Sequence, residues 1–286
     1  MDKSAEIAEK TERLTRMLAV EKLGGVLLGS QHNFSWLTAG GTNGVDLSRE
    51  AGACALVVRA DGKRYVLANR IEMARILAEE ARADEFEAVE FGWEEEKASP
   101  TFVADRALAL LESGGGLGSD LPSGANTRVV EGALSRCRFS LTDSEIERYR
   151  QLGQDAGEAL ERVVRSLEPG ETESEVARRM SDALAARSIR SIVTLVAADE
   201  RLAKFRHPVP TMSRWKKVLM VVTCARRHGL IASLSRIVCA GEVPPELRRR
   251  TLAAARVNAH LLAATRVGIT GADLYEVAAR SYAEEG

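Results

Sequence analysis

The sequence predicts an α/β fold in two domains, and three observations carry the prediction. Strand-sized apolar runs alternate with helix-spaced segments over the first 120 residues, as packed α/β layers require. The pattern changes near Ser140, where a helix-capping signature opens a second series of elements. The chain has 286 residues, long enough that a single core would be near its upper limit. The boundaries expected are 1–140 and 141–286.

The elements follow in order. Ile7, Leu14, Met17 and Leu18 recur among charges between Ser4 and Val20, which is helical spacing. Gly24-Gly25 ends that helix, and Val26-Leu27-Leu28 reads as a short buried strand. The runs 53–58 and 65–67 flank Asp61-Gly62, so they form a hairpin. Helices are expected over 71–82 and 101–113 on either side of an acidic stretch. Gly114-Gly115-Gly116 then breaks the chain before a strand near Leu117.

In the second half Thr142-Asp143-Ser144-Glu145 has capping-box spacing, and the helix it opens carries Ile146, Tyr149, Leu152, Ala156, Leu160 and Val163 on one face. Pro169-Gly170 ends it. A second box, Thr172-Glu173-Ser174-Glu175, starts a helix to about Arg187. Strands are expected over 192–196, 218–224 and 230–239. Pro244-Pro245 introduces a helix through Leu262, and a last helix runs from Asp273 to Glu285.

Composition excludes several classes. Forty basic against 41 acidic side chains leave a formal net charge of −1, without the surplus cations that displace phosphate counterions in a general nucleic-acid binder. Cys54, Cys137, Cys224 and Cys239 form no CxxC pair, which argues against a disulfide scaffold or structural zinc. The start, Met1-Asp2-Lys3-Ser4-Ala5-Glu6, is charged, and the longest apolar run, around 217–222, is strand-sized, so a cytoplasmic protein away from membranes is expected. The charge is nonetheless uneven. Residues 79–97 hold nine acidic and two basic side chains, whereas 191–260 hold thirteen basic and four acidic ones. Two solvated faces account for this most simply; the sharper alternative is a basic half that lines a pocket for an anionic group.

Arg13-Leu14 through Gly25-Val26-Leu27-Leu28 and Asn33-Phe34-Ser35-Trp36-Leu37-Thr38-Ala39-Gly40 resemble the amino-terminal domain of creatinase and aminopeptidase P relatives. Glu145-Ile146, the run 167–177, Arg206-His207-Pro208-Val209-Pro210-Thr211 and Gly268-Ile269-Thr270-Gly271-Ala272-Asp273-Leu274 resemble the start of their pita-bread domain. The resemblance extends over almost the whole chain, in order. It implies a creatinase-type α/β domain followed by the front half of a pita-bread α+β domain.

The family's metalloenzymes hold two divalent ions with Asp, Asp, His, Glu and Glu, which clamp a carbonyl and generate hydroxide. Matching Gly229 and Ser235-Arg236 to that pattern places Val222 and Ser233 at the two aspartate positions. Valine cannot ligate a metal, so no metal and no other cofactor is expected. The remaining family ligands lie beyond Tyr282-Ala283-Glu284-Glu285-Gly286, which implies an incomplete second domain and a homodimer or missing segment to cover it.

The resemblance leaves His207 as the catalytic candidate, since the matching histidine moves a proton in the metal-free creatinase branch. Arg206 and Arg236 are the candidates to bind an anionic substrate end, with Arg226 and Arg227 as further members of that group. For His207 the competing reading is a histidine that merely bonds within its loop. His228 in a basic turn, His260 on a helix and His32 in a turn read as structural, and Asp199-Glu200 could orient the His207 loop. The function implied is a metal-independent hydrolase acting on a C–N bond of a small amino-acid-like or peptide substrate. A non-catalytic pita-bread module that binds peptide or protein is the alternative from another class.

Overall fold

The computed structural model describes residues 2–111 and 115–286. Helix α1 (Lys3–Glu21) starts where the Asp2 carboxylate accepts from the backbone N–H groups of Ser4 and Ala5. Its apolar stripe, Ile7, Leu14, Met17 and Leu18, is buried. Strand β1 (Leu23–Ser30) follows at once. It pairs antiparallel with β2 (Ala51–Arg59), which forms the expected hairpin with β3 (Arg64–Asn69) across the Asp61-Gly62 turn.

Strands β4 (Glu87–Phe91), β5 (Gly116–Ser119) and β6 (Thr127–Val129) complete a six-stranded mixed sheet of order β4-β3-β2-β1-β5-β6. The period of two along each strand sorts its side chains between two cores. Val26, Leu28, Leu56, Val58, Val66 and Ala68 face one, with α1, α2 (Gln31–Leu37) and α6 (Glu131–Arg138). Leu27, Ala55, Val57, Tyr65 and Leu67 face the other, with α5 (Phe102–Ala109). Each large aliphatic side chain so buried contributes on the order of 1.5–3 kcal/mol.

Three local features differ from the sequence expectation. Residues 31–33 are the first turn of helix α2, not a loop turn, because the Ser30 side chain caps Asn33 N and all but His32 of the helix is buried. The helix expected at 71–82 is a short α3 (Met73–Arg75) running into a π-turn over Ile76–Glu80. The acidic stretch contains β4 and α4 (Trp93–Ala98), whose glutamates lie on the solvent side. The end of the helix expected at 101–113 and the glycine run's Gly114 lie outside the described residues.

In the second half both capping boxes form. Glu145 accepts from Thr142 N at 2.9 Å and Glu175 from Thr172 N at 2.6 Å, and each threonine hydroxyl accepts in return. They open α7 (Asp143–Val164) and α8 (Glu173–Ala185). Strands β7 (Arg190–Ala198), β8 (Val218–Arg227) and β9 (Leu230–Cys239) form a three-stranded sheet in that order. Short α9 (Arg201–Lys204) lies between β7 and β8; α10 (Pro245–Ala264) and α11 (Gly271–Glu285) follow β9.

The chain forms two compact units. The first comprises residues 1–163, 179–194 and 223–234; the second comprises 164–178, 195–222 and 235–286. Among the described residues no helix is long and apolar enough to cross a membrane. All four cysteines are free thiols.

Candidate functional site

The segment that carries Arg206 and His207 lies in the second unit and is clamped at both ends by carboxylates. Glu173 opens α8 beside the capping threonine and is fully buried. It accepts from Ala198 N at 2.8 Å, Arg201 Nη1 at 2.8 Å, Thr211 N at 2.9 Å and Thr211 Oγ1 at 2.7 Å. The paired guanidinium and three further donors give a buried charge the partners it needs. Asp199 accepts from three successive backbone N–H groups, Lys216 at 2.9 Å, Lys217 at 2.8 Å and Val218 at 3.0 Å. Burial raises its carboxyl pKa, but those three donors outweigh the burial and hold it below the usual value. Asp199 therefore fixes the return of the chain into β8 and makes no hydrogen bond to His207, while Glu200 pairs with Lys204 at 2.9 Å.

Between the clamps, Arg206 and His207 are exposed, and neither side chain has a hydrogen-bond partner among the described residues. Such a loop, held at its ends and free at its tip, presents an imidazole and a guanidinium to solvent.

The other assigned positions lie elsewhere. Val222 is half-buried on β8 and offers only hydrocarbon. Ser233 is exposed on β9, and its hydroxyl donates to Cys224 Sγ at 3.3 Å. Arg236 donates to Ser235 O at 2.8 Å and lines a cavity of about 610 Å³ with Met220, Ile237, Val243, Leu247 and Leu252, in the second unit. Arg206 and His207 are thus adjacent in one loop of the second unit, Arg236 lies on β9 in that unit, and Ser233 belongs to the first.

Three histidines read as structural have partners. His260 Nδ1 lies 2.8 Å from the hydroxyl of buried Ser281. His32 Nε2 lies 3.6 Å from Glu131. His228 Nδ1 lies 3.4 Å from Gly40 O; burial, then Gly40's opposing bond and nearby Arg227, leave its pKa below the ordinary value.

Residues 147–286 match the model of metallopeptidase family M24. That stretch is similar to an M24 peptidase domain. It begins within α7 and contains the clamped loop and all of β7–β9. No curated protein matches the chain by sequence. Among solved structures it is similar to an Xaa-Pro dipeptidase from Bacillus anthracis, with TM-score 0.75, 18% identity, and coverage of 98% of this chain and 78% of that one. The prolidase from Pyrococcus horikoshii gives 0.76 and 15%, covering 97% and 78%. Aminopeptidase P from Escherichia coli, in complex with substrate, gives 0.70 and 12%, covering 99% and 73%. The fold is the pita-bread fold of these peptidases, in a chain that spans about four-fifths of their length.

M24 enzymes bring the question of paired metal ions. On the expected alignment, which puts Val222 and Ser233 at the aspartate positions, Val222 offers no donor atom and the Ser233 hydroxyl donates to Cys224 Sγ.

Glu173 is the residue that sequence reasoning missed. Its place beside the capping threonine made it read as one more polar residue of a helix start. The available signal was a charged residue on the side of α8 that also carries Val176 and Met180 inward.

Proposed function

We propose that the protein is a hydrolase of the M24 superfamily that cleaves a C–N bond in a small amino-acid-like or peptide substrate without paired metal ions. The observation that carries this is the M24 match over a segment whose Arg206–His207 loop is clamped by Glu173 and Asp199. In this reading His207 takes a proton from water as its oxygen adds to the electrophilic carbon, the C–N bond breaks, and His207 delivers that proton to the departing nitrogen. Arg206 holds an anionic end of the substrate through its planar fork, with Arg236 as a second contact. A creatinase-type domain over 1–140, the front half of a pita-bread domain over 141–286, a homodimer and a cytoplasmic site of action belong to the same reading.

Elemental analysis of the purified protein, paired with a hydrolysis screen over Xaa-Pro dipeptides and amidino compounds, tests it. Turnover that persists in chelator and drops about 100-fold or more in His207→Ala is expected. Stoichiometric manganese, zinc or cobalt would overturn the metal-free assignment. Peptide binding without turnover would favour a non-catalytic module.

A further inference from the structure

A cavity of about 480 Å³ in the first unit is built from parts of the chain far apart in sequence. Helix α2 supplies Gln31 and Ser35, the turn after α8 supplies Ser188, β7 begins with Arg190 and Ser191, and β8 ends with Arg226 and Arg227 ahead of His228. Three arginines and a histidine line it, and no aspartate or glutamate does.

The arginines are not equivalent. Arg227 is neutralised, with Nη1 at 2.7 Å from Asp155, and it also donates to Arg187 O at 3.3 Å. Arg226 is half-buried and Arg190 is exposed, and neither has a carboxylate partner among the described residues. Burial and the neighbouring charge of Arg190 both disfavour the Arg226 cation, so its pKa lies below the ordinary value. Two like charges that line one cavity and act on each other, one of them partly desolvated, are an arrangement that an anion would relieve. The volume is that of a small-molecule site and far exceeds one oxyanion. Ser188, Ser191 and Gln31 also line the cavity, but the Gln31 amide donates to Asp46 O and Arg49 O and the Ser191 hydroxyl bonds Thr194 and Thr223, so the two arginines are the groups left open to a ligand.

We propose that this cavity binds a small polar molecule bearing a phosphate or carboxylate group, with that group seated between Arg190 and Arg226. The site is independent of the loop bearing His207 and does not rest on the hydrolase reading.

The test is calorimetry on the full chain with pyrophosphate and with citrate as probes, at fixed ionic strength made up with sodium chloride. Binding of at least one probe is expected. Arg226→Gln should weaken it about tenfold or more, as should Arg190→Gln, through loss of a charge-assisted contact. Arg16→Gln, an exposed cation on α1, should leave it unchanged. A preference for pyrophosphate identifies a phosphorylated ligand, and a preference for citrate a carboxylated one. Absence of binding by both probes would overturn the proposal, as would equal affinity in wild type and Arg190→Gln. Arg190 is exposed, so that variant decides the matter even if Arg226→Gln fails to fold. Hydrolytic activity is not read in this experiment, and its presence or absence leaves the outcome unaffected.

Discussion

The charged groups of the amino-terminal half and those of the Arg206–His207 loop are used in opposite ways. Lys10 is wholly buried, and its ammonium donates to Glu6 at 2.6 Å, Trp36 O at 2.7 Å and Glu145 at 2.8 Å. Arg148 adds two bonds to Glu6, at 2.8 and 2.6 Å. Nearby, Asp120 accepts from Gly29 N, Ser30 N, the Ser30 hydroxyl and Asn33. Every donor of Lys10 is consumed by the fold. Arg206 and His207 have no hydrogen-bond partner among the described residues, although the loop beneath them is tightly tied down. Where charge is buried and fully paired it serves the architecture; where it is exposed on an anchored loop it stands open to solvent.

Substitutions can break that comparison or sharpen it. The largest effect should come from Lys10→Met, which leaves Glu145 buried without its cation and should cost about 3–5 kcal/mol in denaturant unfolding. Glu173→Gln should cost about 2–3 kcal/mol, because Arg201 loses its charge partner in a buried setting. Hydrogen exchange should then rise selectively over residues 199–217, and a uniform rise would show that Glu173 does not act on that loop.

A smaller effect should appear on acidification. Burial raises the Glu6 carboxyl, but the bonds from Arg148 and Lys10 outweigh it, and its pKa is held below 4.5. Glu80 is likewise held down by Asn43 N and Arg75 against the effect of burial. A carboxylate with a depressed folded pKa stabilises above its unfolded value, and that contribution is lost as pH falls through the folded one. Unfolding midpoints should therefore be level from pH 7 to about 5 and decline below about 4.5. A midpoint indifferent to pH down to 3 would contradict this.

The smallest stability change should be that of His207→Ala, within about 0.5 kcal/mol of wild type. If it destabilises the protein as Lys10→Met does, the contrast between the two regions fails.

Much of the fold was legible because its signals are local. A threonine three residues before a glutamate announces α7 and α8, and Asp61-Gly62 announces the β2–β3 hairpin. Helix α2 was not legible: seven residues hold too little periodicity, and burial on nearly all sides removes the polar face that marks a surface helix. Strand β4 was hidden because its glutamates face solvent, and only Phe91 is fully buried. At the site, Arg206 and His207 could be named from resemblance, but their support could not. The clamp joins residues 173, 198, 201 and 211, and no spacing rule links a helix start to the loop after the next strand. Arg226 could be named as an anion contact from the sequence, but its place with Arg190 in one cavity could not.

The turn between β8 and β9 has a consequence for how the chain is made. His228 and Gly229 both have positive φ, as the tight hairpin turn requires. A Cβ on Gly229 would stand 2.6 Å from that of Ser35, so the hairpin tip sits directly on α2. Residue 35 leaves the ribosome long before residue 229. At ordinary synthesis rates the stretch from Val163 to Gly229 takes on the order of 3–13 s. Through that interval the surface of α2 beneath the tip stands open, and the nascent first unit waits for its last segment. Substituting Gly229 would therefore show first as poor yield during synthesis, before any assay on the mature protein.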